Sequence, residues 1–123
     1  MINVVDEFGL NAGRVWNTLK KCGPLSENRL MEETSLRKNE LFAAIGWLSR
    51  ENKIRKDGEL FRLDETNLTI KIGGNAGKIW KLLSSIEEEV DSNNISKLLK
   101  IDIKDTYSAL GWLAREGKIE FKK

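Results

Sequence analysis

The chain has 123 residues, room for one ordinary domain or two very small ones and too few for a multi-domain enzyme. Apolar residues make up 40% and charged residues 33%, enough for a core with a well-solvated surface, and no apolar run approaches the roughly 18 residues of a membrane span. Lys and Arg number 21 against 19 Asp and Glu, so the net charge of +2 excludes a strongly basic footprint, and any basic patch must be local.

A single cysteine, Cys22, excludes an intrachain disulfide. The absence of histidine removes the usual zinc constellations and every Ser/His or Cys/His nucleophile pair. No two carboxylates are spaced to share an apolar pocket, as acid/base work requires. The expectation is a non-enzymatic protein with no catalytic residue, no metal and no cofactor. Residues 1–6, Met-Ile-Asn-Val-Val-Asp, lack the basic start and long apolar stretch of a secretory signal, which places the protein in the cytoplasm.

In chain order, the β-prone piece 3–9 (NVVDEFG) predicts an opening strand. Val15, Trp16 and Leu19 then recur at helical spacing, predicting a first helix over 11–21, with Asn11 as its cap, Gly13 giving packing clearance and Cys22-Gly23-Pro24 ending it. Ser26 caps a second helix that runs to about Thr34, and Ser35 to Lys38 form a turn. Leu41, Ala44, Ile45 and Leu48 line one face of a third helix. Lys53 to Leu63 alternates around Asp57-Gly58, a strong short hairpin signal.

The same order then repeats. Residues 11–19 (NAGRVWNTL) return as 75–83 (NAGKIWKLL) at an offset of 64. Residues 43–54 (AAIGWLSRENKI) return as 108–119 (SALGWLAREGKI) at an offset of 65, identical at eight of twelve positions. The second opening strand falls on 67–73, followed by helices over Ala76 to Ser85, with Asn75 and Gly77 as cap and clearance, then Ser92 to Leu99 and Ile103 to Glu116. After Ile119 only 120–123 (EFKK) remain, enough for one strand but not for a two-stranded hairpin. Trp16 and Trp80 fall on the apolar sides of the first helices and are expected in the core. Residues 1–64 form one unit with a complete hairpin, and 65–123 a second with a truncated one. Each unit carries a net +1, and the junction near Asp64 to Asn67 is too short for a flexible linker, so the two should pack as one body.

The blocks NAGRVW with AIGWLSRENKI, and NAGKIW with ALGWLAREGKI, resemble a family of small bacterial and archaeal winged helix-turn-helix domains of unknown function, once per unit and over nearly the whole chain. That resemblance implies an α+β, mainly helical fold of two tandem winged helices, with DNA binding of the transcription-regulator type as its expected activity. The doubling and the short second hairpin depart from the single-domain pattern.

In a winged helix the third helix enters the major groove. Opposite its core face this chain presents a small, nearly uncharged surface: Asn39, Ala43, Gly46 and Arg50, bordered by Phe42 and Trp47, in the first unit, and Lys104, Ser108, Gly111 and Arg115, bordered by Tyr107 and Trp112, in the second. Base reading calls for Arg, Lys, Asn or Gln there, whereas a Gly/Ala floor between aromatic walls suits packing. The two faces are expected to meet each other, a second copy in a homodimer, or a protein partner, unless the tryptophans merely close the core above their own hairpins. Replacing Gly46 or Gly111 by Leu would then disrupt association without unfolding the chain. Candidate phosphate contacts are Arg37 and Lys38 at the start of the third helix, Arg50, and Lys53, Arg55, Lys56 and Arg62 on the hairpin. The same seven residues, interleaved with Glu40, Glu51, Asp57 and Glu59, also read as an ordinary solvated surface. Two readings follow: a DNA-binding regulator that holds the backbone through the first unit, or a protein-interaction module that kept the winged-helix frame without DNA binding.

Overall fold

The computed structural model of the chain describes residues 4–120. Helix α1 spans Val4–Cys22, with Asp6 and Glu7 in its first turn and Lys20 and Lys21 in its last, each sign matching the helix dipole. Phe8, Ala12, Val15 and Leu19 are all buried along one face. That four-residue and three-residue spacing explains why the expected opening strand is helix instead: burial of Phe8 on the α1 stripe outweighs the β preference of Val4 and Val5. Asn11 consequently lies inside the helix rather than capping it.

A two-residue strand β1, Leu25–Ser26, leads into α2, Glu27–Thr34, whose first turn is closed by the Ser26 hydroxyl accepting from the Arg29 N–H at 3.2 Å. Ser35 takes a left-handed backbone (φ 59°) that turns the chain toward α3, Lys38–Arg50. The Glu40 carboxylate accepts from the Arg37 N–H at 2.9 Å and secures the start of α3. Strands β2, Ile54–Asp57, and β3, Leu60–Leu63, form the hairpin, turning at Gly58 (φ 59°), where the absence of a Cβ makes that backbone free of strain. The sheet order is β1-β3-β2, all antiparallel, so β3 is the central strand, with Phe61 opposite Leu25 on one side and Lys56 on the other. Nothing in the sequence pattern announced β1, which is too short to show alternation.

The second half opens with a π-helical turn, Thr69–Gly73, that runs directly into α4, Gly74–Ser85, again where a strand was expected and again because an apolar residue, Ile72, continues the buried stripe of Ala76 and Ile79. Asn75 is therefore within α4 and not its cap. Helix α5, Ser92–Leu99, is capped by the Asp91 carboxylate accepting from the Asn94 N–H at 2.8 Å, and α6 spans Ile103–Arg115. No strand follows β3 among the described residues, and 121–123, part of the expected single strand, lie outside them.

Three apolar clusters result, the smallest joining Phe8 to Ala43 and Ala114. Val15, Leu30, Leu41, Ile45, Ile54 and Phe61 are in the first, and Ile79, Ile95, Leu110 and Leu113 in the second. Trp16 packs at the edge of the first cluster, but Trp80 is 40% exposed with the Lys118 ammonium over its ring, and so is not a core residue. Gly13 and Gly77 are exposed with open space beside them and provide no packing clearance; the close approaches of this fold are made at other glycines.

Candidate functional site

Helix α3 is apolar nearly all round, and from Leu41 to Ser49 only Trp47 retains appreciable exposure. A helix of that kind has two faces to bury. One carries Leu41, Ile45 and Leu48 into its own unit's core. The other lies against α6 so closely that a methyl group on Gly46 would sit 2.6 Å from the carbonyl carbon of Ser108. The reciprocal contact is built from the equivalent residues, since a methyl on Gly111 would sit 2.7 Å from the carbonyl carbon of Ala43.

The reciprocity continues outward. Arg50 Nε donates to Glu116 Oε2 at 3.1 Å, and Arg115 Nε donates to Glu51 Oε2 at 3.0 Å. The Arg50 guanidinium lies 5.8 Å from the ring centre of Trp112, and that of Arg115 lies 5.8 Å from Trp47. Beneath the rings, a methyl on Gly9 would stand 3.1 Å from Trp47, and one on Gly73 would stand 3.2 Å from Trp112. Each tryptophan is thus held between a glycine of its own unit's leading helix or turn and an arginine of the other unit. Residue pairs related by the offset of 65 exchange roles across the contact, which is the pattern of an isologous interface formed inside one chain. Tyr107 and Phe42 flank it, with Lys104 Nζ 5.9 Å from the Phe42 ring centre. Gly46 and Gly111 therefore lie in the interior, where a larger side chain meets the backbone of the facing helix.

The seven basic candidates are distributed around the first unit, and most of them are engaged. Lys38 pairs with Glu27 at 3.7 Å, Lys53 with Glu51 at 3.6 Å, and Arg50 with Glu116 as above. On the hairpin, Arg62 donates to Asp57 at 2.7 Å and to Asp64 at 2.9 Å, while Arg55 donates to Asp57 at 2.9 Å. The hydrogen bond from Arg62, with help from Arg55, holds the Asp57 carboxyl below the usual carboxylate range, and Asp57 in turn raises Arg62. Lys56 extends over the Phe61 ring, 5.6 Å from its centre, and Arg37 is exposed beside the start of α3. Among the described residues no group of three or more His, Cys, Asp or Glu could hold a metal ion, and no helix is long and apolar enough to cross a membrane.

The sequence profile of the winged helix-turn-helix domain family DUF2582 matches twice, over residues 4–62 and 63–123. The chain belongs to this family. No curated protein and no solved structure matches it. In this winged helix pair, helices α3 and α6 hold the third-helix positions, and the faces a winged helix turns toward a major groove are the ones buried between them. Sequence reasoning missed Glu51, Glu116, Gly9 and Gly73. The available signal was the recurrence of Gly-Trp-Leu-x-Arg-Glu in both units, because an isologous contact uses the same residues on both of its sides.

Proposed function

We propose that this protein is a binding module that recognises other proteins, built on a winged-helix frame whose base-reading surface is already spent. The observation that carries this reading is the mutual burial of the α3 and α6 faces at Gly46 and Gly111, which leaves no third helix to insert into a groove. Five of the seven basic candidates, Lys38, Arg50, Lys53, Arg55 and Arg62, are paired with carboxylates, so phosphate contact would require breaking those pairs. The module acts without a cofactor, in the cytoplasm, as two units of residues 1–64 and 65–123.

A second reading is sequence-independent contact with the DNA backbone. It is favoured by the exposure of Arg37, Lys38, Lys53 and Lys56 at the two places, helix start and wing, from which winged helices hold phosphates. Fluorescence anisotropy with a random-sequence duplex, at about 50 mM and about 200 mM salt, separates the two readings, since phosphate contacts impose a steep salt slope. The protein-module reading predicts no binding at either concentration. Binding that collapses with salt, and weakens further in an Arg55→Ala, Lys56→Ala variant, would overturn it in favour of DNA.

A further inference from the structure

A pocket of about 340 Å³ lies between α1 and the C-terminal end of α3, and the most strongly repeated residues of the chain converge on it. Gly9, Gly13 and Trp16 of α1 line one side, and Trp47, Glu51 and Lys53 the other. Of its nine lining residues, all but Asn17 have an identical residue at the equivalent position of the second unit, whereas elsewhere along α1 only Asn11 and Leu19 do. Trp47 and Glu51 have a reason inside the fold, since both are engaged in the contact between the units. Gly13 has none. Beyond the local helix backbone, no described residue comes within 4 Å of a methyl built on Gly13 or on its counterpart Gly77. A glycine inside a helix costs up to about 1 kcal/mol relative to alanine, so the fold alone favours a side chain at both positions. The indoles one turn on are also incompletely covered: Trp16 packs only at the edge of the first cluster, and Trp80 is 40% exposed.

We propose that this pocket binds a short acidic segment of a partner protein, which lays its main chain against Gly13 and an aromatic side chain between Trp16 and Trp47. Gly13 supplies the close approach, because a helix position without a side chain lets a foreign backbone reach the helix surface. The length follows from the span of the pocket along α1, from Gly9 to Asn17, about 12 Å at about 1.5 Å per residue, which three or four residues of extended chain cover. The aromatic follows from the two indoles, whose rings favour edge-to-face partners. The acidity follows from the charges at the rim. Glu51 is already neutralised by Arg115 at 3.0 Å, so Lys53, half exposed and 3.6 Å from the other oxygen of Glu51, is surplus, and Lys20 adds a second ammonium 4.9 Å from the Trp16 ring centre. The second unit keeps this balance: Glu116 is taken by Arg50, Lys118 lies over Trp80, and the one lining residue that changes replaces Asn17 by Lys81. Surplus positive charge beside an aromatic pocket complements a chain that carries carboxylates.

This inference rests on the protein-module reading and names its site. The test is titration of the full, nitrogen-15-labelled chain with two peptides, a phenylalanine flanked on each side by two aspartates and the same peptide with lysines in their place. Nuclear magnetic resonance then follows the Gly13 amide and the Trp16 and Trp47 indole N–H groups. The expected result is saturable shifts at these three groups with the acidic peptide, at a Kd below about 1 mM, and none with the lysine peptide. Gly13→Ala should weaken binding at least about tenfold, equivalent to about 1.4 kcal/mol and within the cost of one methyl where none fits. Because that substitution adds helix propensity, the variant is at least as stable as the natural chain, and its lost binding is not lost folding. Lys53→Glu, and a rise from about 50 mM to about 200 mM salt, should each weaken binding several-fold. No shift with the acidic peptide, equal shifts with both peptides, or unchanged affinity in Gly13→Ala would overturn the proposal. Shifts at the same three groups on raising the protein concentration alone, with a dimer seen by light scattering, would also overturn the assigned occupant, putting a second copy in its place. The two readings fail separately: peptide binding alongside salt-sensitive duplex binding would leave the pocket standing and remove the module reading, whereas absence of both would remove the pocket alone.

Discussion

Replacing Gly46 by alanine is the most informative single perturbation of this fold. The added methyl would lie 2.6 Å from the Ser108 carbonyl carbon, against a comfortable carbon–carbon separation of about 3.5–4.0 Å. The obstacle is backbone of a buried helix, so no side chain can rotate away, and α3 and α6 must part by on the order of 1 Å. Parting weakens dispersion along the whole contact. Overpacking of this kind costs about 1–3 kcal/mol, and the rigidity of the obstacle places it near the top of that range. Alanine returns up to about 1 kcal/mol through its helix propensity, leaving a net loss of about 2 kcal/mol. The internal control is Gly13→Ala, at an exposed α1 position with open space around it, which gains the propensity term alone and should stabilise by up to about 1 kcal/mol. Urea denaturation followed by tryptophan fluorescence measures both. With m near 1–3 kcal/mol/M, Gly46→Ala should lower the midpoint by about 1 M while Gly13→Ala raises it. Equal midpoints for the two variants would refute the close packing of α3 on α6.

Gly111→Ala should behave like Gly46→Ala, and the double variant should lose less than the sum of the two, because helices already parted accept the second methyl at lower cost; additivity within about 0.5 kcal/mol in the same assay would contradict this. Phe61→Ala should destabilise by about 3–5 kcal/mol through loss of the residue that locks the hairpin onto the first core, measured by thermal denaturation. The Arg50–Glu116 pair, whose arginine is 46% exposed, should show a coupling of about 0.2–1 kcal/mol in a double-mutant cycle that shrinks with salt, with the Arg115–Glu51 pair matching it. Asp57 has its carboxyl lowered from 3.8 in the folded chain, so its contribution is present above that value and is lost as pH falls through the lower folded one. The thermal midpoint of the natural chain should therefore exceed that of Asp57→Asn at about pH 6 and lose that advantage by about pH 2; an advantage that persists in acid would be the contrary result.

The repeat, the hairpin and the helix-turn-helix order were legible because local patterns carry them: α5 begins at Ser92, α6 at Ile103 and the hairpin turns at Gly58, as spacing and turn chemistry indicate. The opening segments were not. Val4-Val5 and Leu68-Thr69-Ile70 have β-forming side chains, and what makes 4–9 and 69–73 helical is the burial of Phe8 and Ile72 on stripes continued by Ala12 and Val15 and by Ala76 and Ile79, a continuity lost when 3–9 and 67–73 are read as strands separate from the helices that follow. Among the glycines, NAG placed Gly13 and Gly77 conspicuously at helix starts, yet the glycines that matter sterically are Gly9, Gly73, Gly46 and Gly111, whose neighbours are 38 or more residues away in sequence. The bland, uncharged character of the third-helix faces was visible in composition. That each face meets the other required knowing where Arg50 and Glu116 come together, a relation that spans 66 residues.

Helices α3 and α6 bury each other's faces within one chain. Nuclear Overhauser effects between the Gly46 α-protons and Ser108, and between the Gly111 α-protons and Ala43, test that contact directly. Both sets are expected, intramolecular and unchanged on dilution. Their absence, or their appearance only between differently labelled chains in a mixed sample, would contradict that mutual burial.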